Sequence, residues 1–426
     1  MHARNRILPI VLFLILTGYP FVKFGFVQVW DYVGGDWEIF YRASRNLAAG
    51  MSPYSFGERN PDVPEGGRYV YPPFFARLLV PLTVLSPLAA KRVYVYSILI
   101  LYLLLLWPRK REEGAHPLQR AIGIVFLLGW GPAIDDFRVG QSNFIPFFCF
   151  VIAMRLLQAE GRFPVRKFGI DREFSAGAIC GIACSIKLTP LILVPVLAVT
   201  ARWKMAAGIL LGFTANSFLW GPRDCLVFFS KVLPSLSGFV WDSRVYCLHT
   251  FAVHNLPRVV GNGWLSQSTL VCGLVYLCLL FFIHVKRKSF ATADLIPIGC
   301  YLSVLFGGLW FNHYTLALLP ILFVTPQLAD AFVRRPTRSP KKRFPLDPSF
   351  LRSVAFFAVL TPCFTYWGLL SDLFLRVNSR LIVPHSLQVF FGNTIAFAIF
   401  LNTVMQNGSR NRPKDPETND ASEVNP

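Results

Sequence analysis

Apolar runs recur along the whole chain, and polar residues are collected into short stretches between them. Several runs reach about 18–20 residues, the length a helix needs to cross a lipid hydrocarbon core. No soluble domain of useful size fits between them. The pattern predicts an all-α polytopic membrane protein of about twelve helices, since a helix satisfies its backbone groups within one apolar segment. The predicted segments are residues 7–29, 92–107, 119–134, 143–158, 174–187, 190–200, 205–220, 266–285, 294–311, 314–332, 350–370 and 386–405. The run 174–200 carries KLTP in its middle and reads either as one broken helix or as a two-helix hairpin. Residues 74–90 are interrupted by Pro81 and Pro87, with Pro72 and Pro73 just before them. They read as a helix or turn lying in the outer interface.

The basic residues set an orientation. With the N-terminus inside, the inner loops are PRKREE, EGRFPVRKFGIDRE, ARWK, KRK and RRPTRSPKKR, as the positive-inside bias requires. The outer loops are residues 31–77, the short DDFRVGQ, 221–264 and 374–385. Residues 1–29 have a basic start and an apolar stretch without a small-residue cleavage site, and read as a retained first helix. Residues 1–405 then form a single transmembrane domain whose outer face is built by loops 30–91 and 221–265. Residues 406–426 are polar, without aromatics, and read as a disordered cytoplasmic tail.

Composition agrees. Only 15% of residues are charged and mean hydropathy is +0.48, against about a quarter charged in ordinary globular domains. The net charge of +19 (42 basic, 23 acidic) would suggest nucleic acid in a soluble protein. Here the basic residues lie in the loops, so topology explains them, with a secondary attraction for anionic lipid headgroups. The nine cysteines show no metal-ligand spacing, and most lie inside apolar runs. Cys225 and Cys247 share one predicted outer loop, where a disulfide is permitted.

The unusual polar residues fall on the outer side. DWEIFYRASRNLAAG reads as a short helix ending at Gly50, with Asp36 in its first turn. A carboxylate there stabilises the helix dipole and needs no further role to explain it. Tyr71-Pro72-Pro73 makes a stiff extended approach to the next apolar stretch. DDFRVGQSN joins two predicted helices. It is either a tight polar turn or a place where Asp135 and Asp136 are paired with Arg138 or functional, and Gln141 and Asn143 suit sugar hydroxyls. Lys187 ends an apolar run far from the basic inner loops. It reads equally as a snorkelling lysine or as a cation for a phosphate. WDSRVYCLHTFAVHNLPRV gathers Asp242, Arg244, His249, His254, Asn255 and Arg258, and WFNHYTLALLP puts Asn312 and His313 at an outer helix end. The His spacings are not those of a zinc site. Asp31, Asp36, Asp135 and Asp136 have the chemistry of an oxygen-ligand site, but nothing in the pattern requires a metal.

Taken in order, GGDWEIFYRASRNLAAGMSPY, YVYPPFFARLLVPLTVL, GQSNFIPFF, SAGAICGIACSIKLTPLILVPVLAVTARWK and FNHYTLALLP resemble glycosyltransferase family 87. These are polyprenyl-phosphate-mannose-dependent mannosyltransferases of the GT-C class. The resemblance runs from residue 7 to about residue 323 and more loosely beyond. It implies a GT-C bundle with a catalytic Asp in the first outer loop, matched here by Asp36. The donor would be a polyprenyl-phosphate sugar, a substrate rather than a cofactor, and the acceptor a lipid or glycan. Asp36 would act as general base in one inverting displacement. Lys187, with Arg68, Arg244 and His313, would hold the donor phosphate. Gln141 and Asn143 would meet sugar hydroxyls, and Tyr41, Tyr54 and Tyr71 would stack on the sugar or line the lipid groove. Glu38, two residues after Asp36, is a second carboxylate that should point elsewhere on the helix. The implied location is the plasma membrane, with both termini cytoplasmic, the active site outside, membrane lipids as partners and no nucleic acid. A transporter or flippase of a lipid-linked sugar is the alternative, and a non-catalytic subunit of an envelope-assembly complex a third. A flippase predicts polar residues along a path through the bilayer and repeat symmetry, whereas here they cluster on one side and no repeat is evident.

Overall fold

The computed structural model describes residues 35–55, 69–106, 131–158, 171–236 and 264–306, with single positions at 22 and between 397 and 405. All regular structure among these residues is helical. In chain order the α-helices of six residues or more are α1 (Asp36–Ala48), α2 (Pro73–Leu79), α3 (Pro87–Leu106), α4 (Gly131–Val139), α5 (Phe144–Gln158), α6 (Arg172–Ile186), α7 (Leu193–Val199), α8 (Trp203–Leu219), α9 (Pro222–Val227), α10 (Trp264–Val285) and α11 (Thr292–Phe306). Among the described residues no single helix is long and apolar enough to cross a membrane. One bent pair, Pro73–Val84 with Pro87–Tyr102, meets that test together, with an angle of 118° between its arms. Most of the expected segments 7–29, 119–134 and 386–405, and all of 314–332, 350–370 and the tail, lie outside the described residues.

Helix α1 follows the sequence closely. Gly35 turns the chain with φ of 81°, and Gly50 ends it with φ of 75°, both conformations that favour glycine. The stretch 74–90 is more regular than its prolines suggest. A 3-10 turn, Val80–Val84, joins α2 to α3, and Pro87 opens α3, where its missing N–H is not needed. The helix therefore begins five residues before the expected boundary at 92. The DDFRV stretch is not a turn either. Helix α4 runs through it and stops at Gly140, with φ of 69°.

The 174–200 run proves to be two helices. Helix α6 ends at Ile186, Lys187 is extended (φ −145°, ψ 128°), and a 3-10 turn at Thr189–Ile192 leads into α7. Helices α6 and α8 then lie side by side through four glycines. A Cβ on Gly177 would stand 2.2 Å from the Met205 carbonyl oxygen, and one on Gly208 would stand 2.2 Å from that of Phe174. Gly181 and Gly212 face the Ile209 and Ala178 carbonyls at 2.5 Å in the same sense. Each helix thus presents glycines four residues apart, the small-residue stripe by which apolar helices bring their backbones together. Their contacts advance in step along both helices, so α6 and α8 run parallel, and the chain returns through α7 from the end of α6 to the start of α8.

This arrangement sorts the loops to two ends. At the start of α6, Asp171 caps the helix by accepting from the Glu173 and Phe174 amides and pairs with Lys204 at 2.7 Å. Glu173 meets Arg202 at 3.5 Å and accepts from the Thr292 hydroxyl at 2.7 Å. Basic segments expected on the inner side therefore meet one another. At the far end of α6, about 22 Å away for fifteen helical residues, stand Lys187 and the α4–α5 turn.

Candidate active site

Asp36 is the first residue of α1, and the packing of its neighbour holds it in place. Trp37 is fully buried. Its indole N–H donates to the Pro87 carbonyl at 2.9 Å, and its ring stacks on Tyr94 with centroids 5.1 Å apart. Gly140 lies against it, so close that a Cβ there would stand 2.9 Å from the Trp37 Cβ. The close approach of Gly140 to Trp37 brings the α4–α5 turn against the start of α1.

That turn carries the polar residues. Gln141 Nε2 donates to Asp36 Oδ2 at 2.5 Å and lies 3.4 Å from the Tyr71 hydroxyl. Gln141 is itself pinned: its N–H donates to the Asp136 carbonyl, its carbonyl accepts from the Tyr94 hydroxyl at 2.9 Å, and its Oε1 accepts from the Ser142 amide at 3.0 Å. Two residues on, Asn143 Nδ2 donates to Asp136 Oδ1 at 2.7 Å, and Lys187 Nζ donates to Asn143 Oδ1 at 2.6 Å. The Lys187 ammonium also stands 5.7 Å from the centre of the Tyr71 ring. Asp136, Gln141, Asn143 and Lys187 are all buried, while Asp36 keeps part of its surface open. Burial pushes the Asp36 pKa above its ordinary value. The Gln141 hydrogen bond and the Lys187 charge oppose that rise, and Asp135 adds to it.

The tyrosines divide by environment. Tyr71 lies at the cluster with its ring edge-on to Phe40 at 5.0 Å. Tyr54 donates to the Tyr71 carbonyl at 2.8 Å and supports that loop from behind. Burial raises the pKa of both hydroxyls, so both stay neutral phenols. Tyr41 is not brought to the cluster: its hydroxyl donates to the Leu85 carbonyl at 2.6 Å and its ring is core. Glu38 pairs with Arg42 along the helix, so it does not share the Gln141 contact. Asp135 forms an ion pair with Arg138 at 2.7 Å. Arg68, Arg244, His313, His249 and His254 lie outside the described residues, as does Cys247; Cys225 is a buried free thiol.

The cluster is therefore assembled from Asp36, Tyr71, Gln141, Asn143 and Lys187, each nameable from the sequence, and from Asp136, Tyr94 and Trp37, which sequence reasoning did not assign. The adjacent pair Asp135–Asp136 was a signal, but the two side chains separate only once the stretch is helical: Asp135 turns to Arg138 and Asp136 to Asn143. Chemically, the cluster sets one carboxylate of raised pKa and one buried ammonium on a shared amide frame. Among the described residues no group of three or more acidic, His or Cys side chains stands ready to hold a metal ion.

A family model described as glycosyltransferase family 87 matches residues 69–308. No curated protein and no solved structure matches the chain. The matched span holds Tyr71, Asp136, Gln141, Asn143 and Lys187 but begins after Asp36, so Asp36 is tied to it by the Gln141 hydrogen bond. With more than half of its length matched, the chain belongs to glycosyltransferase family 87 and is a glycosyltransferase.

Proposed function

We propose that the protein is an integral membrane enzyme of the GT-C fold that moves a hexose, with mannose as first candidate, from a polyprenyl-phosphate sugar to a lipid or glycan acceptor. The observation that carries this reading is the joining of Asp36 to Lys187 by the Gln141–Asn143 turn. In the reaction, Asp36 accepts the proton of an acceptor hydroxyl. That oxygen bonds to the anomeric carbon as the bond from this carbon to the phosphate oxygen breaks, inverting the centre. The electron pair leaves on the polyprenyl phosphate, and the Lys187 ammonium offsets the growing charge. One carboxylate suffices, unlike the paired carboxylates of glycoside hydrolysis, because phosphate needs no protonation to leave.

The membrane setting is supported by the outward face of α8, where Leu210, Leu211, Phe218 and Leu219 are exposed. Exposed Trp203 opens that helix and exposed Trp220 follows it, and Trp is enriched where helices meet a membrane interface. The basic segments at the Asp171 end would face the cytoplasm and the Asp36 end the outside.

A donor panel tests the reading. Purified protein in proteoliposomes is given radiolabelled polyprenyl-phosphate mannose, polyprenyl-phosphate glucose and GDP-mannose, with a membrane-lipid extract as acceptor. Transfer from a polyprenyl-phosphate sugar and none from the nucleotide sugar is expected. Transfer from the nucleotide sugar alone would overturn the donor assignment.

A further inference from the structure

We propose that Asp136 is a positioning residue for glycosyl transfer, fixing the Lys187 ammonium through Asn143. The inference rests on the reading of Lys187 as the phosphate's cation.

The polarity of the hydrogen bonds carries it. Asp136 is 1% exposed, in the last turns of α4, and Asn143 is fully buried. An ionised carboxylate can only accept, and an ammonium can only donate. An amide placed between them has one compatible orientation: its NH2 toward Asp136 (2.7 Å) and its carbonyl toward Lys187 (2.6 Å). Turning the amide over would set carbonyl against carboxylate and NH2 against ammonium. Asp136 therefore dictates that Asn143 offers Lys187 an acceptor. Its charge also compensates a cation that is 5% exposed, and a buried cation without a compensating charge is strongly unfavourable.

Asp136 touches the other arm as well. Its main-chain carbonyl accepts from the Gln141 amide at 2.9 Å, and Gln141 is the residue that holds Asp36. The backbone of Asp136 helps hold the base's partner, and its side chain holds the cation's. A side-chain substitution separates the two and should reach catalysis through Lys187 alone.

The test is a double-mutant cycle on transfer from polyprenyl-phosphate mannose to a membrane-lipid extract, with the thermal midpoint of each detergent-solubilised variant followed alongside. Lys187→Ala is expected to slow transfer about a hundredfold, as loss of one transition-state donor does. Asp136→Ala should slow it about tenfold or more in the wild-type background and by less than about twofold when Lys187 is already Ala, because coupled residues are non-additive. Asp136→Asn can still present a carbonyl to Asn143 and should retain more transfer than Asp136→Ala. It carries the cycle should the alanine variant not fold, again slowing transfer only where Lys187 is present. Equal losses from Asp136 substitution in both backgrounds would overturn the positioning role and leave the Lys187 reading intact. Transfer unaffected by Lys187→Ala would remove that reading and the inference with it.

Discussion

Gln141 Nε2 reaches Asp36 Oδ2 at 2.5 Å across 105 residues of chain. It is a polar contact that joins α1 to the frame holding Lys187. A hydrogen bond to a charged group contributes about 1.5–3 kcal/mol. Gln141→Ala is therefore expected to lower kcat/KM by between about tenfold and a hundredfold. Steady-state transfer kinetics check this, and a loss below about threefold would mean that Asp36 keeps its place unaided.

The pH dependence follows from the direction of the Asp36 shift. Burial raises its pKa, against the Gln141 hydrogen bond and the Lys187 charge and with the Asp135 charge. A general base works ionised, so transfer should fall as pH drops through a value above the ordinary aspartate pKa of about 3.9. Gln141→Ala removes one of the opposing influences and should move that inflection upward. The pH profile of kcat/KM in both proteins is the measurement.

The same shift has a consequence for stability. A carboxyl whose pKa rises on folding favours the folded state in its protonated form. That contribution is present below the unfolded-chain value and is lost as pH rises through the folded one. At neutral pH, above the unfolded-chain value, Asp36 therefore costs stability relative to its protonated form. Asp36→Asn, whose carbonyl can still accept from Gln141, is expected to raise Tm at pH 7 and to leave it unchanged at about pH 4. A lower Tm at pH 7 would contradict the assigned cause.

Tyr41 and Tyr71 were alike in sequence and differ in the fold. Tyr41→Phe removes a buried hydroxyl from the Leu85 carbonyl. It should lower stability by about 1 kcal/mol with transfer unchanged, read by thermal melting and the transfer assay together. A loss of transfer without a loss of stability would return Tyr41 to the site.

The glycine seam gives a prediction away from the chemistry. A methyl on Gly208 would stand 2.2 Å from the Phe174 carbonyl oxygen, and backbone cannot yield as a flexible side chain does. Gly208→Ala should force α6 and α8 apart and destabilise by about 1–3 kcal/mol, seen as a lower Tm in detergent. An unchanged Tm would mean that the two helices do not approach so closely.

Much of this was legible in the chain. Asp36 opens α1 and Gly50 ends it, as the local signals required. Gln141, Asn143 and Lys187 stood out because amides and a lysine beside apolar runs need partners. Gln141 meets Asp36 and Asn143 meets Lys187 in the fold, partners the chain alone did not name, because a polar residue's chemistry is local but its partner is tertiary. Asp136 was unassigned because a polar turn and a helix end read alike until Gly140 places the stop. Gly177, Gly181, Gly208 and Gly212 were visible as spacing, yet only packing says that one stripe faces the other.

Asp36 as the base of a transfer from a polyprenyl-phosphate sugar is decided by comparing wild type with Asp36→Asn for two quantities: transfer of label from polyprenyl-phosphate mannose and binding of that donor. The substitution should abolish transfer, by at least about a hundredfold, while donor affinity stays within about threefold of wild type. Transfer that survives Asp36→Asn, or label that crosses the bilayer without forming a new product in either protein, would contradict it.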